Sequence, residues 1–132
     1  MDTPSEKKII CTPDAPKAIG PYAQAIRYGE LLFVSGMVPI DPETGELLTG
    51  NFEAEVKLVL ENLKAVVEAS GMSLKNVLKA SIFMKDLANF EKFNEIYGRY
   101  FGDILPARET VQVARLPRDA SIEISVICGA LP

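Results

Sequence analysis

The 132-residue sequence is predicted to fold as a single α+β domain in which one six-stranded sheet carries two helices on one face. Two long segments have apolar residues at helical spacing, whereas the other apolar segments are short and are bounded by turn residues. Their order along the chain is β-β-β-α-β-α-β-β. Strands interleaved with only two helices favour one sheet with both helices on the same side.

The N-terminal half is predicted to contain three strands and the longer helix. A polar tail over residues 1–7 leads into a strand at residues 7–12, and a loop with three prolines follows. Residues 22–28 and 31–35 flank a Gly-Glu turn and predict a β-hairpin. Residues 52–69 have apolar positions at helical spacing with charged residues mostly elsewhere, and Gly71 stands where such a helix would end.

The C-terminal half is predicted to contain the second helix and three strands. Residues 77–85 form an apolar strand, and Asn89 can cap a helix that Gly102 ends. Residues 109–115 and 121–130 give the last two strands, which we predict to pair as a hairpin. The aromatic residues of the second helix fall on one face: Phe90, Phe93, Tyr97, Tyr100 and Phe101.

The composition excludes several classes of function. The net charge of −4 argues against a nucleic-acid partner, because such a face requires a basic surface. The sequence has no histidine, which excludes Ser-His-Asp and Cys-His catalysis, and its two cysteines lack a metal-binding spacing, so no metal site is expected. Cys11 and Cys128 are predicted to be buried thiols of a cytoplasmic protein without a signal peptide or membrane span.

Two charged residues near the C-terminus predict chemistry on a small carboxylic acid. Arg108 enters a strand, and its guanidinium group matches a carboxylate or a phosphate with two parallel hydrogen bonds. Glu123 lies in a strand between two isoleucines, where burial can raise the pKa of a carboxyl group and make it useful for proton transfer. We therefore predict both as catalytic residues.

Short motifs follow one another along almost the whole chain: Ile19-Gly20-Pro21-Tyr22, Ser35-Gly36, Asp41-Pro42-Glu43-Thr44-Gly45, Pro106-Ala107-Arg108, Val113-Ala114-Arg115-Leu116-Pro117 and Ile122-Glu123-Ile124. In this order and spacing they resemble the RidA (YjgF-like) family. The resemblance implies a chorismate-mutase-like fold with a mixed sheet, assembled as a homotrimer. It also implies hydrolysis of 2-imino acids and enamines (2-aminoacrylate, 2-iminopropanoate, 2-iminobutanoate) to 2-oxo acids and ammonia, without a cofactor.

The resemblance also implies a role for each motif residue. Arg108 would hold the substrate carboxylate, and Glu123 would orient or deprotonate the attacking water. Tyr22 would line the pocket and hydrogen-bond the substrate. Ser35 and Gly36 would form a pocket wall with a backbone donor, since glycine permits close approach.

Other residues near these motifs are interpreted more simply. Thr110 lies two residues beyond Arg108 on the same strand face, so it would also contact substrate, through its backbone groups. Arg115 and Arg118 flank the last turn and are expected to be solvated. Asn94 on the second helix fits a structural role as well as a functional one.

Two positions depart from the family pattern. Met37 stands where the family commonly has glutamine, and Ser125 stands where it often has a second glutamate. Both changes bear on pocket polarity and substrate preference more than on the type of reaction.

The predicted hairpin bears on how the site is assembled. With Arg115 opposite Ser121, Glu123 lies opposite Val113, on the order of 16 Å along the strand from Arg108. One small substrate cannot bridge that gap, so the sites are expected between subunits. The sheet face without helices also carries apolar residues, which favours its burial against copies of the chain.

Two other functions compete with imine hydrolysis. One is an endoribonuclease that inhibits translation, an activity attributed to some members of the family. The acidic net charge and the absence of histidine weigh against it. The other is a non-catalytic trimer that binds 2-oxo acids or acts as a chaperone.

Overall fold

The computed structural model describes residues 6–131 as a six-stranded sheet with two α-helices on one face, which confirms the predicted fold class. The predicted tail lies outside the described residues up to residue 5, and Lys7 already belongs to the first strand. The strands are β1 (Lys7–Ile10), β2 (Ala25–Tyr28), β3 (Leu31–Met37), β4 (Val77–Met84), β5 (Ala107–Gln112) and β6 (Ile122–Gly129), and the helices are α1 (Phe52–Ala69) and α2 (Phe90–Phe101).

The order of the strands in the sheet is β1-β2-β3-β6-β4-β5, so the predicted pairing of the last two strands is wrong. β6 lies between β3 and β4 and is antiparallel to both, and β5 lies at the edge, parallel to β4. The reason is that α2 connects β4 to β5. A helical crossover of this kind returns the chain to a parallel strand, whereas a hairpin requires antiparallel neighbours.

Helix α1 has the predicted bounds, because its ends carry strong local signals. The Asn51 side chain accepts a hydrogen bond from the Ala54 amide at the N-terminus. Gly71 follows the last turn with φ of +91°, a conformation that favours glycine. The apolar face of α1 is fully buried against β3 and β6: Val56, Val59, Leu60, Leu63, Val66 and Val67.

Helix α2 begins differently from its prediction. The Asn89 side chain makes no capping hydrogen bond, and the chain enters the helix through a short 3₁₀ turn at Leu87–Asn89. The Asp86 carboxylate caps that turn by accepting a hydrogen bond from the Ala88 amide. The predicted aromatic face is present, with Phe93, Tyr97 and Phe101 buried in contact with one another.

The strand register separates the sheet into a helix-covered face and an open face. Alternate residues of the central strands are buried under the helices: Leu32, Val34, Ala80, Ile82, Ile122 and Ile124. The residues between them lie on the open face, where several large apolar side chains are exposed: Ile9, Tyr28, Leu31, Phe33 and Val111. An apolar surface of this kind typically marks an interface.

The two cysteines lie in different environments. Cys128 is buried in β6, and burial raises the pKa of its thiol to about 11. Cys11 is exposed, contrary to the prediction, because it follows β1 at the edge of the sheet. Neither helix within residues 6–131 is long and apolar enough to cross a lipid bilayer.

Candidate active site

Glu123 lies on the open face of β6, between two isoleucines whose side chains enter the core on the other face. The Glu123 side chain is half-buried, and this burial raises the pKa of its carboxyl group above the ordinary glutamate value. Such a carboxylate has a stronger tendency to take up a proton, as the sequence predicted.

Gly36 makes room for the Glu123 carboxyl group. It sits at an irregularity of β3, where the register with β6 shifts between Val34 and Met37. A Cβ atom at position 36 would lie 2.7 Å from Cδ and 2.9 Å from Oε2 of Glu123. Only glycine therefore leaves the carboxyl group its present position.

A cleft of about 550 Å³ opens beside Glu123. It brings together four of the predicted site residues, which come from the loop before β2, from β3 and from β6. Its lining consists of Ile19, Tyr22, Ser35, Gly36, Val38, Ile40, Pro117, Arg118 and Glu123. Met37 is buried and Ser125 lies further along the open face, so neither family departure lines this cleft.

Tyr22 and Ser35 both contribute to the cleft wall. The Tyr22 hydroxyl accepts a long hydrogen bond of 3.4 Å from the Ile19 amide. The Ser35 hydroxyl donates to the Ala23 carbonyl at 2.6 Å, and its amide donates to the Gln24 carbonyl at 2.9 Å. Ser35 thus uses both its donors within the chain and contributes shape to the cleft.

Gln24 holds the loop that carries Tyr22, a role the sequence analysis missed. Its buried amide accepts a hydrogen bond from the Thr12 amide at 2.7 Å and donates to the Pro16 carbonyl at 2.8 Å. These bonds tie the proline-containing loop to the start of β2. A single glutamine after a proline-containing loop does not by itself reveal this role in the sequence.

Arg108 lies on the helix-covered face of β5, away from Glu123. Its guanidinium carbon is 4.9 Å from the ring centre of Tyr97 and 5.6 Å from those of Phe90 and Phe93. Within residues 6–131, no carboxylate lies within 4.0 Å of the guanidinium. Aromatic rings therefore hold the cation without neutralising it, which leaves its hydrogen-bond donors available to an anion.

Three buried polar atoms near Arg108 have no hydrogen-bond partner among the described residues: Asn94 Oδ1, the Tyr97 hydroxyl and Thr110 Oγ1. Asn94, Tyr97 and Arg108 line one groove of about 300 Å³. Thr110 faces the same side of the sheet as Arg108, as predicted, since the two pair with Ile82 and Ala80 of β4. Buried polar groups are normally satisfied, so these point to a missing partner.

The predicted site is thus divided into two parts on opposite faces of one sheet. Arg108 pairs with Ala80 across β5 and β4, whereas Glu123 pairs with Phe83 across β6 and β4. The two residues are two strands apart across the sheet and three residues apart along the strands, a distance on the order of 14 Å, and their side chains lie on opposite sides of the sheet. One substrate cannot contact both residues within a single chain.

Comparison with known proteins places the chain in a family. The profile of the Endoribonuclease L-PSP family matches residues 12–129. The chain belongs to this family, the YjgF/RidA family. A RutC family protein of Pyrococcus horikoshii is 50% identical over 121 residues, which cover 92% of the chain and 96% of that protein.

Other members of the YjgF/RidA family bear on ligand and fold. The Escherichia coli protein named "Putative reactive intermediate deaminase TdcF" is 44% identical over 124 residues, which cover 92% of the chain and 95% of that protein. Its crystal structure with bound serine superposes with a TM-score of 0.89 at 42% identity, over 94% of this chain and 99% of that one. The YjgF gene product of Escherichia coli gives a TM-score of 0.89 at 40% identity, over 94% and 99%.

Replacing Gly36 by alanine is expected to lower activity while the fold is kept. The new Cβ atom displaces the Glu123 carboxyl group, and a shift of about 1 Å can cost up to roughly 100-fold in rate. The measurement is kcat for imine hydrolysis together with the melting temperature. Gly129→Ala is the matched control, because its Cβ comes nearest to Leu78 Cδ1, at 2.9 Å, and its neighbours Leu78 and Leu31 lie outside the lining of either cleft. Full activity of Gly36→Ala would contradict this role.

Proposed function

We propose that this YjgF/RidA protein hydrolyses reactive 2-imino acids and their enamine tautomers to 2-oxo acids and ammonia. The substrates are 2-aminoacrylate, its imine tautomer 2-iminopropanoate, and 2-iminobutanoate, all formed in the cytoplasm. The observation that carries the proposal is that the chain offers both an anion-binding group and a proton-accepting group. One half of the site offers a guanidinium without a carboxylate partner, and the other offers a glutamate whose pKa is raised by burial.

The two halves would meet between subunits of a homotrimer. The apolar side chains exposed on the open face favour burial against a second copy of the chain. In a cyclic assembly, the β5 half of one subunit can face the Glu123 cleft of the next, which gives one site per interface.

The reaction requires a fixed carboxylate, a positioned water and a route for protons. Arg108 binds the substrate carboxylate with two parallel hydrogen bonds. Glu123 takes a proton from water as the oxygen attacks the carbon of the protonated imine, which forms a tetrahedral amino alcohol. Glu123 then gives this proton to the nitrogen, and the C–N bond breaks as ammonia leaves. The hydroxyl group loses its proton to solvent as the C–O bond becomes the carbonyl of the 2-oxo acid. No histidine is needed for this sequence of steps.

The relative with bound serine supports the class of ligand. Serine carries a carboxylate and a nitrogen on the same carbon, as a 2-imino acid does, and TdcF was crystallised with it. The family description also names an endoribonuclease. The net charge of −4 and the absence of histidine give no support to RNA cleavage by this chain.

The test is imine loss in a coupled assay. An amino-acid oxidase with catalase generates 2-iminobutanoate from 2-aminobutanoate, and semicarbazide traps the imine that survives. We expect the protein to lower trapped imine and to raise the rate of 2-oxobutanoate formation in proportion to its concentration. An unchanged rate at high protein concentration would contradict the proposal.

A further inference from the structure

The Glu123 cleft contains a cation that the sequence analysis assigned to solvent. Arg118 is exposed, but it forms part of the cleft wall together with Pro117. Its guanidinium group donates one hydrogen bond, of 3.0 Å, to the Gly45 carbonyl. That contact joins the last turn to the loop after β3 and fixes where the side chain lies.

The backbone at Arg118 is held in an unusual conformation. Arg118 has φ of +57° and Asp119 has φ of +59°, in the left-handed region that side chains with a Cβ rarely adopt. The Asp119 carboxylate lies 3.0 Å from the Lys85 ammonium and 3.9 Å from the Arg115 guanidinium. These ion pairs stabilise the turn. Strained residues held in place beside a cleft are often functional.

The Arg118 charge has no protein counter-ion within the described part of the chain. No carboxylate of residues 6–131 lies within 4.0 Å of its guanidinium. Asp119 already faces two other cations, and Glu123 lines the same cleft as Arg118 without forming an ion pair with it. Only one donor of the Arg118 guanidinium is occupied, by the Gly45 carbonyl.

The Glu123 cleft also extends well beyond the glutamate. In the single chain it has a volume of about 550 Å³ and reaches from Glu123 to Arg118, which gives room for a side chain longer than that of a three- or four-carbon imino acid. The lining next to Arg118 is apolar, with Ile40, Val38 and Pro117, which suits the methylene groups of a longer side chain.

We propose that Arg118 binds a second carboxylate, at the end of the substrate side chain, so that the cleft accepts dicarboxylic 2-imino acids. This inference rests on the proposed function and extends its substrate class. Arg108 of one copy would hold the carboxylate next to the imine carbon, and Arg118 of the other would hold the distal one. A charge-assisted hydrogen bond in a partly enclosed cleft discriminates strongly against a substrate that lacks the group.

The experiment compares two imines in one assay. 2-Iminoglutarate and 2-iminobutanoate are generated by amino-acid oxidases, and kcat/KM is measured for the wild type and Arg118→Gln. Glutamine keeps a polar amide donor and a Cβ atom at the same left-handed backbone position but removes the charge. We expect kcat/KM for 2-iminoglutarate to fall about 10-fold or more, while the value for 2-iminobutanoate stays within about 2-fold. Arg99→Gln is the matched control, since it removes an exposed arginine charge outside the cleft and away from the Arg118 turn, and it should change neither value.

Binding of the products separates this inference from the proposed function. Calorimetric titration with 2-oxoglutarate and 2-oxobutanoate requires no turnover. If Arg118→Gln weakens the binding of 2-oxoglutarate but not that of 2-oxobutanoate, the second carboxylate site is supported. This holds even if neither imine is hydrolysed; the proposed function would then be wrong and the binding site would stand. Equal effects of Arg118→Gln on both ligands, or no effect on 2-oxoglutarate, would overturn the inference while hydrolysis of 2-iminobutanoate would still stand.

Discussion

Replacement of Arg108 by lysine is expected to abolish most ligand binding although the positive charge is kept. The guanidinium carbon lies 4.9–5.6 Å from the centres of three aromatic rings, and the planar group presents parallel donors, whereas an ammonium group offers a point charge without that geometry. We expect affinity for 2-oxobutanoate to fall roughly 100-fold in Arg108→Ala and at least about 10-fold in Arg108→Lys, with kcat/KM falling in parallel.

The control for Arg108 is Arg99, an exposed arginine of α2. Arg99→Lys changes an exposed residue that pairs with Glu95 at 3.1 Å, and it should leave binding unchanged. Calorimetric titration measures the affinities, and circular dichroism checks that each variant folds. Wild-type affinity in Arg108→Ala would move the carboxylate anchor to another residue.

Replacement of Glu123 by glutamine is expected to lower turnover by roughly 100-fold or more with little effect on product binding. Glutamine keeps the shape of the side chain but cannot accept the proton of the attacking water. Because burial disfavours the charged carboxylate, the variant should be no less stable than the wild type at pH 7. Glu109→Gln is the control, since Glu109 also lies on the open face but pairs with Lys79 at 3.1 Å.

The pH dependence of turnover follows from the same carboxyl group. Burial raises the pKa of Glu123, so the residue stays protonated, and inactive as a base, to a higher pH than an exposed glutamate does. kcat/KM should therefore rise with pH through an apparent pKa above 4.5, the ordinary value. This rising limb should be absent from the residual activity of Glu123→Gln. A limb that persists in the variant would assign it to a different group.

Local patterns in the sequence were sufficient to predict the helices and strands but not to predict which strands pair in the sheet. Helix α1 matches its prediction because an apolar face, a capping asparagine and a glycine stop agree with one another. The last two strands were paired wrongly because proximity in sequence was given more weight than the crossover through α2. The segment from β4 through α2 to β5 already contained the signal for a parallel pair.

A separation between Arg108 and Glu123 was predicted from the sequence, but their placement on opposite faces of the sheet was not. Arg108 and Glu123 were selected by residue type and motif, and no pattern within either strand shows that they lie on opposite faces of the sheet. Long-range contacts decide that arrangement, as they do the position of Arg118 beside Gly45. Asn94 and Tyr97 could have been linked to Arg108 only by knowing that α2 packs across β5.

The most direct test of the shared site is complementation between two inactive variants. Arg108→Ala and Glu123→Gln are mixed in equal amounts under conditions that allow subunits to exchange. In a cyclic trimer, about one quarter of the interfaces then combine an intact Arg108 with an intact Glu123 from the neighbouring chain. We expect imine hydrolysis to recover to about one quarter of the wild-type rate.

A second mixture, of wild-type and doubly substituted chains, distinguishes shared sites from sites within one chain. Wild-type protein mixed equally with the Arg108→Ala/Glu123→Gln double variant should show about one quarter of full activity if sites are shared, and about one half if each chain holds its own site. Mass spectrometry of differently labelled chains verifies the exchange. We predict about one quarter of the full activity in both mixtures after exchange. If the mixture of the two single variants stays inactive although exchange is verified, a site built from two chains is contradicted.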